Sequence, residues 1–177
     1  MKLVLIGPPA AGKSRIGKRI ARLLDLPYID TDKLVVAEHG AIPDIFAEHG
    51  EAHFRALERA AVTQALTTDA VISFGGGAVL DEDTQRDIRN VPVVQLTVQP
   101  HAVAARLGNG KRPLVPDVDA WVALYATRKP IYESLADQSF DTSDLPTEQV
   151  AEQIATWARE QFTAPETRPH AAEERIR

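Results

Sequence analysis

Leu3-Val4-Leu5-Ile6-Gly7-Pro8-Pro9-Ala10-Ala11-Gly12-Lys13-Ser14 carries an apolar run straight into the spacing G-x-x-x-x-G-K-[ST]. The run reads as a buried strand. Beyond the motif, Ile16, Ile20, Leu23 and Leu24 recur at helical spacing. Strand, Gly-rich turn and helix form the context in which this spacing makes a phosphate-binding loop. Successive backbone N–H groups, with a helix N-terminus behind them, make an anion cradle. The candidate cradle is Gly7, Ala10, Ala11, Gly12, Lys13, Ser14 and Arg15. Gly7 and Gly12 permit close approach of the backbone that a Cβ would block. The Lys13 ammonium can reach the β- and γ-phosphates, and the Ser14 hydroxyl can ligate Mg2+.

Outward from the loop, short apolar runs alternate with helical patterns, the signature of stacked βα units and a mainly parallel sheet. Further strands are expected at 27–29 (ending at Asp30), 70–74, 91–98 and 139–141. Helices are expected at 13–24, 51–66, 81–88, 100–107, 119–135 and 147–162, with Pro130 kinking or splitting the fifth. Trp121 and Trp157 read as core residues. Residues 108–113 are Gly-rich and polar, which suggests a mobile loop. The segment 163–177 has prolines and many charges but no periodicity, and reads as a disordered tail behind a single domain over 1–162.

The bulk composition narrows the function. The chain has 177 residues, 44% hydrophobic and 25% charged, with net charge −5. An acidic balance argues against a broad nucleic-acid-binding face. With no cysteine there are no disulfides and no thiolate chemistry, which fits a cytoplasmic protein. The N-terminal apolar run is too short for a signal peptide, and no stretch approaches the ~18 apolar residues of a membrane span.

Ligands of open parallel sheets bind beyond the carboxyl ends of the strands. Asp30-Thr31-Asp32 and Gly75-Gly76-Gly77 both follow expected strands. Arg55, Arg112 and Arg128 are candidate anion binders whose distance from that rim the sequence does not give. Each has a plainer reading. Asp30 and Asp32 could be a turn and a helix cap, and Arg55 a solvated partner of Glu51 and Glu58. Arg128 could be a surface charge, Gly75 to Gly77 a plain loop, and Arg112 loop decoration. His49 and His53 have the spacing of metal ligands, but H-G-E-A-H is not H-E-x-x-H and no third ligand is evident.

The combined string resembles the shikimate kinases, small P-loop kinases of the nucleoside-monophosphate-kinase fold class. It comprises GPPAAGKS with Gly17-Lys18, D-T-D at 30–32, G-E-x-x-F-R at 50–55 with Glu58, I-S-F-G-G-G at 72–77, R-P-L at 112–114, R-x-x-x-Y at 128–132 and D-T at 141–142. The resemblance spans about residues 1–160 and implies a three-layer αβα sandwich around a five-stranded parallel sheet, with a mobile lid near 107–118. It implies transfer of the ATP γ-phosphate to shikimate, with Mg2+, by a chain expected to be a monomer. Asp32 resembles the carboxylate that binds the acceptor hydroxyls and takes the proton of the attacking one. Arg55 and Arg128 resemble the clamp on the substrate carboxylate, and Gly75, Gly76 and Gly77 the turn against the substrate. Asp30 resembles the carboxylate that reaches Mg2+ through water, Arg112 the lid arginine, and Arg106 a further lid or nucleotide-contacting arginine. Arg15 departs from the Thr or Ser that such kinases usually carry there. Gluconate kinase, which also phosphorylates a polyhydroxy acid, is the alternative reading.

Overall fold

The computed structural model describes residues 1–107 and 117–163. The apolar run at the N-terminus forms β1 (Leu3–Ile6), buried on both faces as a central parallel strand must be. The chain then builds α1 (Lys13–Leu24), β2 (Tyr28–Asp30), α2 (Thr31–His39), α3 (Ile42–Ala65) and β3 (Val71–Ser73). After a 3-10 turn at Ala78–Leu80 come α4 (Glu82–Asp87), β4 (Val93–Thr97), α5 (Pro100–Leu107), α6 (Val118–Leu135), β5 (Gln138–Asp141) and α7 (Thr147–Thr163).

The five strands order as β2-β3-β1-β4-β5, every neighbouring pair parallel. Leu3 and Leu5 face one side, where Ile16 and Ile20 of α1 and Val150 and Ile154 of α7 cover them. Val4 and Ile6 face the other, against Val62 of α3, Ile88 just after α4 and Tyr132 of α6. The sheet is therefore the middle of three layers, as expected. Trp121 is buried and Trp157 packs at the edge of the first cluster.

Three expectations need correction. The helix expected at 51–66 is there, but a helical stretch from Ile42 that the sequence reading left out precedes it in α3, the two meeting at a break at Gly50, where φ is 80° and ψ 174°. Helix α2 stands where the periodicity gives no element; only Thr31 and Val35 of it are buried, too few to make an apolar stripe. Pro130 does not split α6, which runs through it from Val118 to Leu135. The expected lid, apart from its ends, and the tail beyond Thr163 lie outside the described residues.

Because all strands run the same way, their carboxyl ends share one rim. Gly7 follows β1, Asp30 ends β2, Phe74 and Gly75 follow β3, and Thr142 follows β5. That rim carries the site.

Candidate active site

Local geometry shapes the phosphate loop first. Gly7 has φ 138°, and a Cβ there would overlap the Leu96 carbonyl of the neighbouring strand. Gly12, at φ 85°, caps α1. Lys13 extends back over the loop, its Nζ donating to the carbonyls of Gly7 at 2.7 Å and Pro8 at 3.0 Å. Three other side chains brace the loop from outside. Trp121 Nε1 donates to the Pro9 carbonyl at 2.8 Å. Arg106 donates to the Ala10 carbonyl at 2.9 Å, and the buried Thr142 hydroxyl lies 3.0 Å from the Ala11 carbonyl. Arg106 and Thr142 also meet each other, so α5, the end of β5 and the loop are tied at one point. Arg106 thus stands beside the Gly-rich loop. Arg15 is exposed on the first turn of α1.

Beside the loop, Ser14 Oγ donates to Asp30 Oδ2 at 2.7 Å. Asp30 also caps α2, its Oδ1 accepting from the Lys33 backbone N–H at 3.3 Å. The cap reading of Asp30 holds, and the same carboxylate meets the Ser14 hydroxyl. A hydroxyl and a carboxylate side by side, with no nitrogen or sulfur donor, make a set that suits a hard divalent cation such as Mg2+.

The glycine run gathers the second half of the site. A Cβ on Gly75 would overlap Asp32 Oδ1 and lie 2.7 Å from Glu58 Oε1. On Gly77 it would overlap the Arg55 guanidinium. On Gly76 it would lie 3.5 Å from both Arg128 Nη1 and Pro9 Cδ. Asp32, Arg55 and Arg128 therefore converge on this turn, and Pro9 brings the phosphate loop against it. The turn is held from below. Thr31 Oγ1, fully buried, accepts from the Gly75 N–H at 2.9 Å, and the buried Tyr132 hydroxyl donates to the Gly76 carbonyl at 2.5 Å.

Charges alternate around the turn. Arg55 pairs with Glu58 at 2.6 Å and with Glu51 at 3.1 Å, and its guanidinium carbon lies 5.3 Å from the centre of the Phe54 ring. The expected ion-pair partners are there, but the pair with Glu58 is not solvated, since that side chain is 4% exposed. Burial raises the Glu58 carboxyl, and the Asp32 charge adds to the rise, against the pull of Arg55 and Arg128. For Arg55, burial acts against the charged form, but Glu58 and Glu51 outweigh it and raise the guanidinium further. Burial pushes the Tyr132 phenol up to about 12, with the neighbouring Arg128 acting the other way. Tyr132 is thus a hydrogen donor throughout the physiological range.

Arg112 lies outside the described residues. The rings of His49 and His53 lie 4.8 Å apart on α3. Tyr132 and Thr142 belong to the motif strings, but their bracing contacts are tertiary and no local spacing announces them; Glu58 meets Arg55 at the local i,i+3 spacing. Thr31 belongs to the D-T-D string as well, and Trp121 carries no sequence signal for the role the fold gives it.

A family model for shikimate kinase matches residues 9–159. A shikimate kinase of Thermobifida fusca is 42% identical over 158 residues, covering 86% of this chain and 91% of the relative. One from Corynebacterium efficiens is 38% identical over 157 residues, covering 86% and 93%. Among solved structures, shikimate kinase from Acinetobacter baumannii in complex with shikimate superposes with TM-score 0.85 at 26% identity, covering 92% of this chain and 95% of that one.

Proposed function

The chain belongs to the shikimate kinase family, and we propose that it transfers the γ-phosphate of ATP to the 3-hydroxyl of shikimate, giving shikimate 3-phosphate and ADP on the route to aromatic amino acids. The observation that carries the residue-level reading is the convergence of Asp32, Arg55 and Arg128 on the Gly75–Gly77 turn, with Pro9 of the phosphate loop in contact with it. A polyhydroxy acid needs a place for its carboxylate and a place for its hydroxyls. Two guanidinium groups serve the first, because their forked donors match a carboxylate's geometry. Glu58, buried, keeps Arg55 aimed; Glu51, 66% exposed, is the partner that a substrate carboxylate displaces at small cost. Asp32 serves the second.

The acceptor oxygen attacks the γ-phosphorus, its proton passes to Asp32, and the bridging oxygen leaves with ADP. Such a transfer is mostly positioning and charge neutralisation. Lys13 leaves the Gly7 and Pro8 carbonyls for the phosphates, and backbone N–H groups of the loop hold the anion. Ser14 and Asp30 are the residues that would hold Mg2+, Asp30 through water. When bound, the ion neutralises phosphate charge. The working unit we propose is a monomer, as the family resemblance implies.

Asp32→Asn tests the acceptor reading. The amide keeps the shape but takes no proton, so we expect turnover to fall by roughly 100-fold or more while ADP binding is unchanged. Unchanged turnover would remove Asp32 from the mechanism.

A further inference from the structure

Tyr28 has no part in the transfer described above, yet its phenol touches the machinery. It opens β2, and its ring lies against α1 where that helix has no side chain: a Cβ on Gly17 would come within 2.6 Å of Tyr28 Cε2. Gly17 thus makes a slot that fixes the ring, and the ring packs against the core cluster behind it. From this slot the hydroxyl donates to Asp30 Oδ2 at 3.0 Å. That is the oxygen which also accepts from Ser14 Oγ.

We propose that Tyr28 is a positioning residue for the metal ion: its hydroxyl fixes the Asp30 carboxylate in the orientation that Ser14 and bound Mg2+ require. The inference rests on the reading of Asp30 as the carboxylate that reaches Mg2+ through water. A carboxylate on a strand end has two rotatable bonds. Lys33 N–H holds one oxygen from the helix side, at a long 3.3 Å. Ser14 has a single hydroxyl proton, which holds the other oxygen only as well as Ser14 itself is placed. The phenol is a rigid donor fixed independently of both. Outer partners of this kind, which orient the groups around a metal, tune its affinity without touching it.

The test is calorimetric binding of ADP, with and without Mg2+, to the full chain and to Tyr28→Phe, Asp30→Asn and the double variant. Tyr28→Phe keeps the ring in its slot, and matching thermal unfolding midpoints would show that packing is retained. We expect it to weaken ADP binding about 10-fold in excess Mg2+ and not at all without the metal, with shikimate binding unchanged. The loss should vanish when Asp30 is already Asn, because the phenol then has no carboxylate to hold. Equal weakening with and without Mg2+, or no weakening, overturns the inference. If Asp30→Asn also leaves the Mg2+ dependence untouched, the metal reading of Asp30 falls with it; if Asp30→Asn alone abolishes that dependence, only the role of Tyr28 is lost.

Discussion

At Gly77 the backbone passes so close to the Arg55 guanidinium that a methyl group would overlap it, and at Gly75 the same holds for Asp32. The glycine run is therefore a mould for the side chains around it, and its composition follows from close approach rather than from a turn angle. Inside that mould, Glu58 and Arg55 depend on each other. Glu58 titrates higher in the folded chain than in the unfolded one. Between those two values the folded form holds the extra proton, so stability falls as pH rises through the window and is greatest below the ordinary Glu range. Arg55 limits that rise. In Arg55→Ala Glu58 should titrate higher still, and the stability deficit should grow from acid to neutral pH, reaching about 1–3 kcal/mol near pH 7. Urea unfolding of both proteins at about pH 4.5 and pH 7 measures it. A deficit independent of pH would mean that Arg55 contributes packing alone.

Among the elements, the loop after β1 is held less by its own strand and helix than by what surrounds it. Trp121 of α6, Arg106 of α5 and Thr142 after β5 bond to the carbonyls of Pro9, Ala10 and Ala11, one each. Thr142 is the hub. Its one proton serves the Ala11 or the Thr97 carbonyl, both at 3.0 Å, and its oxygen accepts from Arg106. Thr142→Val keeps the shape and strands these partners in a buried place. We expect a loss of about 1–3 kcal/mol in stability and a several-fold rise in the KM for ATP, with the shikimate KM unchanged. Steady-state kinetics with each substrate varied in turn separates the two effects; an equal rise in both would show that the hub serves the whole rim. Elements differ in how far they can be read from sequence. Helix α1 is legible to the residue because a glycine starts it and a regular apolar stripe follows. Helix α2 is not, since it buries only Thr31 and Val35, and its cap Asp30 reads equally well as a site residue.

Over the whole molecule, a parallel sheet explains why so much of the site is legible in the sequence. Motif residues that follow strands must land on one rim, so the order of residues along the chain is enough to group Gly7, Asp30, Asp32 and Gly75. Arg55 and Arg128 come from helices, and their reach depends on packing that no local spacing encodes. Tyr28 is hidden differently: at strand spacing it reads as apolar, and only the slot at Gly17 turns its hydroxyl toward Asp30. No helix among the described residues is long and apolar enough to cross a membrane. The two guanidinium groups at the rim agree with a small anionic acceptor. The most direct measurement is ADP release in a coupled assay with Mg2+ and ATP, run with shikimate, gluconate, nucleoside monophosphates or no acceptor. Release that depends on shikimate alone is the expected result. Release with gluconate in its place, or none that depends on an acceptor, would contradict the account.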